Sequence, residues 1–136
     1  MLKKIFSAKG WLIGAGVIHG IMGVIVQLVM SADVAEMAWG KGNVLAHDAT
    51  YEAIMGFALL PHVAAIFGAA FLLSGVTQAK MAALLGGTTM VAFLAMVAVG
   101  SNSGYMADMG PMAAYAPPII LFGGLTLSGV LHMKEG

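Results

Sequence analysis

An all-α integral membrane protein, with four transmembrane helices in a compact antiparallel bundle, is the fold class this sequence predicts, and three observations predict it. Four long apolar runs recur along 136 residues; 60% of the residues are hydrophobic and only 9% charged; the mean hydropathy is +0.95. A water-soluble domain carries roughly 25% charged residues, so this chain lacks the polar surface that water would require. A helix needs about 20 apolar residues to cross a ~30 Å hydrocarbon core, and it satisfies its backbone polar groups internally while doing so. We expect residues 1–136 to form one such four-helix transmembrane domain with spans at about 11–30, 51–74, 81–100 and 115–132.

The first span is preceded by an amphiphilic leader carrying Lys3, Lys4 and Lys9. A secretory signal peptide is the competing reading of this region, but its apolar part exceeds the ~7 to 15 residues of an h-region. A polar connection over residues 31–50 contains Asp33, Glu36, Lys41, His47 and Asp48, with room for a short interfacial helix at 34–39. The second span carries Glu52 at its outer end and a Pro61-His62 step at its middle. A tight connection at 75–79 then leads through Lys80 into the third span. The Ser101-Asn102-Ser103-Gly104 break separates it from the fourth, which is expected to start at Tyr115 or Pro117. A proline in the first helical turn loses no intrahelical hydrogen bond, so Pro117-Pro118 reads as a helix start.

Lys3, Lys4, Lys9, Lys80 and Lys134 all fall on one side of this topology and Lys41 alone on the other. By the positive-inside rule both termini are expected in the cytoplasm, in a bacterial-type inner (plasma) membrane. Tyr51, Tyr105, Tyr115 and Trp39 then collect at the outer interface, with Trp11 and Phe6 at the inner one. Small residues form stripes at helical spacing: Gly16, Gly20 and Gly23 in the first span; Ala58, His62, Ala65 and Ala69 in the second; Gly86 and Gly87 in the third; Gly123, Gly124 and Gly129 in the fourth. Such stripes let helix backbones approach in lipid, whether within the chain or against another subunit. No internal repeat marks the chain as a doubled transporter fold.

His19 and His62 are the sharpest candidates for chemistry. His19 lies ten residues beyond Lys9, about 15 Å at 1.5 Å per residue, and His62 twelve residues before Ser74, about 18 Å, so their depths agree within a turn. Facing each other, they would suit the axial positions of a haem b iron, with Pro61 freeing the Phe57 carbonyl for a ring N–H. Haem propionates need cationic anchors, however, and the chain has no Arg and no Lys at that depth. A structural role, in which the rings bond each other, Gln27, Thr89 or freed carbonyls, is the plainer alternative. A proton or substrate path through Gln27, His19 and His62 is the third.

A second candidate is soft: Met106, Met109 and Met112 recur every three residues in the last outer loop, and with His47 they would offer thioether and imidazole ligands to copper. His47, Asp48 and Glu52 would offer a harder set. His132, at the end of the last span, suits a helix C-terminus. There is no GxSxG, P-loop or HExxH motif, and the absence of cysteine removes disulfides, thiolate metal sites and thiol nucleophiles together. Zero net formal charge implies neither nucleic acid nor an acidic substrate. The expected role is therefore a helix-packing or accessory subunit of a larger membrane complex, not an enzyme on its own. Its partners would be the lipid bilayer and either other membrane subunits or further copies of itself. A haem or copper redox protein and a small transporter are the alternatives.

Overall fold

The computed structural model describes residues 5–100, 103–106 and 110–134, and only the backbone of residues 111 and 112. The described chain is all helical, and four of its helices are long and apolar enough to cross a membrane.

Helix α1 comprises an α-helical stretch, Ala8–His19, a π-helical turn, Gly20–Ile25, and a last α-helical turn, Val26–Val29. Ser7 caps its start by accepting the Gly10 N–H at 3.2 Å. Helix α2, Ser31–Trp39, follows at once and ends where Gly40 takes φ 85°. This is the interfacial helix expected at 34–39, one turn longer. Helix α3 is Asp48–Leu72, α4 is Gly75–Gly100 and α5 is Pro111–His132.

Two boundaries differ from expectation by more than a helical turn. The connection placed at 75–79 is already helical, and only Leu73 and Ser74 separate α3 from α4. Gln78 explains this tight hairpin. Its buried side-chain amide donates to the carbonyls of Ala69 (3.1 Å), Ala70 (2.9 Å) and Leu73 (2.9 Å), closing the open C-terminal end of α3 from the first turn of α4. The second difference is at α5, which starts at Pro111 behind Gly110 (φ 71°), so Pro117 and Pro118 lie inside the helix instead of opening it. Pro111 already occupies the first-turn position in which a missing N–H is harmless.

The contacts of the glycines show how the helices run. Along α1 and α3, Gly16 faces Phe67, Gly20 faces Val63, Gly23 faces Leu59, and Gly56 faces Leu28, a pairing that proceeds in opposite senses along the two helices. Helices α4 and α5 are likewise antiparallel: Gly86 lies against Thr126, and Gly129 against Ala79 and Ala83. Helix α1 closes the group by placing the Trp11 ring on Gly124 of α5. The face of α3 that packs takes up only part of the stripe read from the sequence. Ala69 is buried and His62 half-buried, but Ala58 and Ala65 are exposed, and Glu52, Gly56, Val63, Ile66 and Ala70 complete the buried face. Residue size alone does not select a face in lipid, because both faces are equally apolar.

The core occupies one half of the bundle. Ala8, Leu12 and Ala15 of α1, Ile66, Ala69 and Ala70 of α3, Ala79, Ala82 and Leu85 of α4, and Phe122 and Leu125 of α5 form a single buried cluster toward the end that carries Lys9, Lys80 and Lys134. In the other half the bundle divides. From Gly20 onward α1 packs, among the described residues, only on α3 and α2, and α4 beyond Met90 is largely exposed, with Val91 69% and Val99 75% accessible. Two pairs thus diverge from a common base: α1 with α3, and α4 with α5. At the far, acidic end they are bridged by Tyr105, whose ring meets Trp39 of α2 edge-on at 5.1 Å, and by the Met106 N–H, which donates to the Ala38 carbonyl.

Candidate functional site

The level at which the pairs part is the level of the two histidines. His19 comes from the last α-helical position of α1 before its π turn, and His62 from α3 immediately after Pro61. Their rings meet edge to face with centroids 5.4 Å apart, so the sequence estimate of matched depth corresponds to direct contact. Phe122 of α5 fills the remaining side, 5.1 Å from the His19 ring and 6.4 Å from the His62 ring.

Hydrogen bonding fixes the state of one ring. The Thr89 hydroxyl of α4 donates its single proton to the Leu85 carbonyl at 2.6 Å. It can therefore only accept from His62, whose Nε2 lies 2.8 Å away, so His62 carries its proton on Nε2 and is left with Nδ1 as an acceptor. Among the partners considered from sequence, Thr89 is the one selected, in preference to the Phe57 carbonyl exposed by Pro61.

His19 is placed differently. Its Nε2 is buried and has no hydrogen-bond partner among the described residues, and the same is true of Gln27 Oε1 eight residues further along α1. These buried orphan atoms belong to one helix and are aligned by its irregularity. Eight residues of regular α-helix, at 3.6 per turn, would put the two side chains about 80° apart around the axis. The extra residue taken up by the π turn between them brings that angle back to about 20°. Gly23 completes the arrangement, since a Cβ there would lie 2.9 Å from His19 Nδ1. Burying an unpaired polar atom costs on the order of 1–3 kcal/mol, a cost that a purely structural helix would avoid with Leu or Met.

A haem does not fit this arrangement. Axial imidazoles point their nitrogens at each other across an iron with a macrocycle between them; here the rings touch, Phe122 packs against both, and His62 Nε2 is held by Thr89. The copper reading falls partly beyond the described residues, which do not include Met109 or the Met112 side chain. Met106 is half-buried at the bridge to α2, while His47 is directed to Asp48 Oδ1 at 3.6 Å and to the Tyr51 ring. Among the described residues no group of three or more His, Cys, Asp or Glu is arranged to hold a metal, so His47, Asp48 and Glu52 do not form the harder ligand set.

Two buried carboxylates lie at the acidic end, one turn apart on α3. Asp48 is structural: its Oδ2 accepts the Leu45 N–H at 2.7 Å and its Oδ1 faces His47. Among the described residues Glu52 accepts only from the Tyr105 hydroxyl, at 3.2 Å. Burial, together with the adjacent Glu52 carboxylate, pushes the Tyr105 phenol well above its usual range, so it remains the donor. At the opposite end His132 Nε2–H donates to the Phe6 carbonyl at 3.0 Å, tying the leader to the end of α5 instead of merely capping a helix.

Sequence reasoning did not pair Glu52 with Tyr105, place Phe122 at the histidines or give Gln78 its capping role. Only Gln78 carried a signal, as a long amide at a tight connection between two apolar helices. A scan against protein-family models and searches of curated proteins and of solved structures each find no match to this chain.

Proposed function

We propose that this protein is a small transporter of the cytoplasmic membrane that moves protons along a path past Gln27, His19 and His62. The observation that carries the reading is the position of the histidine pair at the point where the two helix pairs separate, flanked by a π turn in α1 and by Pro61 in α3. A π turn inside an α-helix is frequent at functional sites, and ionisable side chains at such depth are costly unless they serve one. The proton is favoured over other cargo by chemistry. Neutral imidazole takes up a proton directly, whereas no Asp, Glu, Lys or Arg lies at this level to compensate an ionic substrate. Lys9, Lys80 and Lys134 at one end and Asp33, Glu36, Asp48 and Glu52 at the other support an orientation with both termini in the cytoplasm. The closed half of the bundle would then face inward and the divided half outward.

The test uses the purified full-length protein in liposomes that contain a trapped pH dye, with a membrane potential set by potassium and valinomycin. Proton entry above that of empty vesicles, lost in His19→Leu and His62→Leu, is the expected result. Vesicles no leakier than empty ones would overturn the reading.

An accessory role in a larger membrane complex is the second reading. It is supported by Gly14 and Gly68, where an added Cβ would meet nothing within 4 Å, at matching levels of α1 and α3. A partner helix that approaches there should be caught by cross-linking from Gly68→Cys in native membranes. Recovery of an uncross-linked monomer under the same conditions would remove this reading.

A further inference from the structure

We propose that Glu52 is the group through which protons enter this path from the acidic side, and that Tyr105 is the clasp that covers it. The inference rests on the transport reading above and adds a residue and an entrance to it.

Among the acids of the described residues, Glu52 stands apart. It is only 6% exposed, although it lies in a helix long enough to span a membrane, and among the described residues no cation pairs with it. Its neighbour Asp48 has a backbone N–H and His47 to hold it; Glu52 has one hydroxyl at 3.2 Å, a long bond for an O–H donor. A carboxylate kept buried with so little support is poorly explained as a stabilising element.

Its position follows the column of polar atoms. Glu52 and Gly56 are one turn apart on the same face of α3. At Gly56 the helix is crossed by Gln27 and Leu28 of α1, with a Cβ on Gly56 lying 3.2 Å from Gln27 Cβ. Glu52 therefore sits about 6 Å, one turn, outward of Gln27, the next orphaned group, and ten residues or about 15 Å along α3 from His62. The groups that bear on its charge are Tyr105 from the loop between α4 and α5, Asp48 on its own helix and, through Asp48, His47.

Tyr105 comes from the other helix pair. Its hydroxyl reaches Glu52 of α3 and its ring reaches Trp39 of α2, so the bond closes the outer mouth of the division between the pairs. When Tyr105 swings away, the Glu52 carboxylate takes a proton from outer water. It returns to the carboxylate as that proton passes, along a file of water molecules that Gln27 Oε1 helps to orient, to a neutral imidazole nitrogen of the histidine pair, which becomes imidazolium.

The same proteoliposome assay tests this with two variants, Glu52→Gln and Tyr105→Phe. Glu52→Gln should lower proton flux at least tenfold, whereas Tyr105→Phe, which keeps the carboxylate and removes its clasp, should raise it several-fold. Wild-type flux in Glu52→Gln, with His19→Leu still silent, would overturn the entry role and leave the transport reading standing. No flux in the wild type would overturn both. Should Glu52→Gln fail to fold, Tyr105→Phe decides, and an unchanged rate in that variant would overturn the proposal.

Discussion

Replacing Gly86 by alanine should weaken the bundle by roughly 1–2 kcal/mol, and the structure gives the reason. An added Cβ would lie 2.6 Å from the Thr126 backbone nitrogen and 2.9 Å from the Phe122 carbonyl oxygen, where ordinary contact begins at 3.4 Å. These are backbone atoms of α5, which cannot rotate aside. Helices α4 and α5 would have to part locally by roughly 0.8 Å, the difference between 2.6 and 3.4 Å. Overpacking of this kind costs about 1–3 kcal/mol, and the better helix propensity of alanine returns up to about 1 kcal/mol. Gly14→Ala is the matched control. A Cβ there meets nothing within 4 Å, so only the propensity gain of up to about 1 kcal/mol remains and the sign should reverse. The assay is reversible unfolding in mixed micelles, followed by far-UV circular dichroism as the fraction of denaturing detergent is raised. Gly86→Ala with a midpoint at or above that of the wild type, while Gly14→Ala gains nothing, would refute the assigned approach of α4 and α5.

Three further outcomes follow from single contacts. Gln78→Leu removes the amide that serves three carbonyls at the end of α3 and should cost about 2–3 kcal/mol in the same unfolding assay, since buried acceptors are left unpaired. Thr89→Val keeps the side-chain shape but takes away the acceptor of His62 Nε2–H, so nitrogen NMR of labelled imidazole should lose the hydrogen-bonded Nε2 signature of His62 while His19 is unchanged. Tyr105 supplies a pH dependence. A phenol raised in the folded state contributes stability that is complete below its unfolded value of about 10 and declines as the pH climbs above it. The wild type should therefore lose stability across that alkaline window by a margin that Tyr105→Phe does not show, and Glu52→Gln should let Tyr105 ionise at lower pH.

The candidate site was half legible in the sequence. His19 and His62 stand out because each interrupts an apolar run, and a rise of 1.5 Å per residue suffices to match their depths. Their environment was legible only as a set of alternatives. A freed carbonyl of its own helix, the other ring, Gln27 and Thr89 all stood open for His62, and the fold selects Thr89, 27 residues away on α4. Glu52 read as an acid near the water, because no local feature signals the hydroxyl that reaches it from Tyr105, 53 residues later. The π turn, which aligns His19 with Gln27, leaves no composition signal in the stretch Gly20–Ile25.

The sequence by itself determines that this chain makes long apolar helices, roughly where they start and stop, and which end carries the lysines. Those properties follow from hydropathy, helix length and the charge of the connections, each of which acts locally. Which face of each helix turns inward, that the four helices share a core in only one half and part in the other, and that two histidines meet at the fork are settled by packing. In an apolar solvent no face is expelled from the surroundings, so close approach at Gly16, Gly86 and Gly129 and hydrogen bonds between distant residues make that choice instead of hydrophobic periodicity.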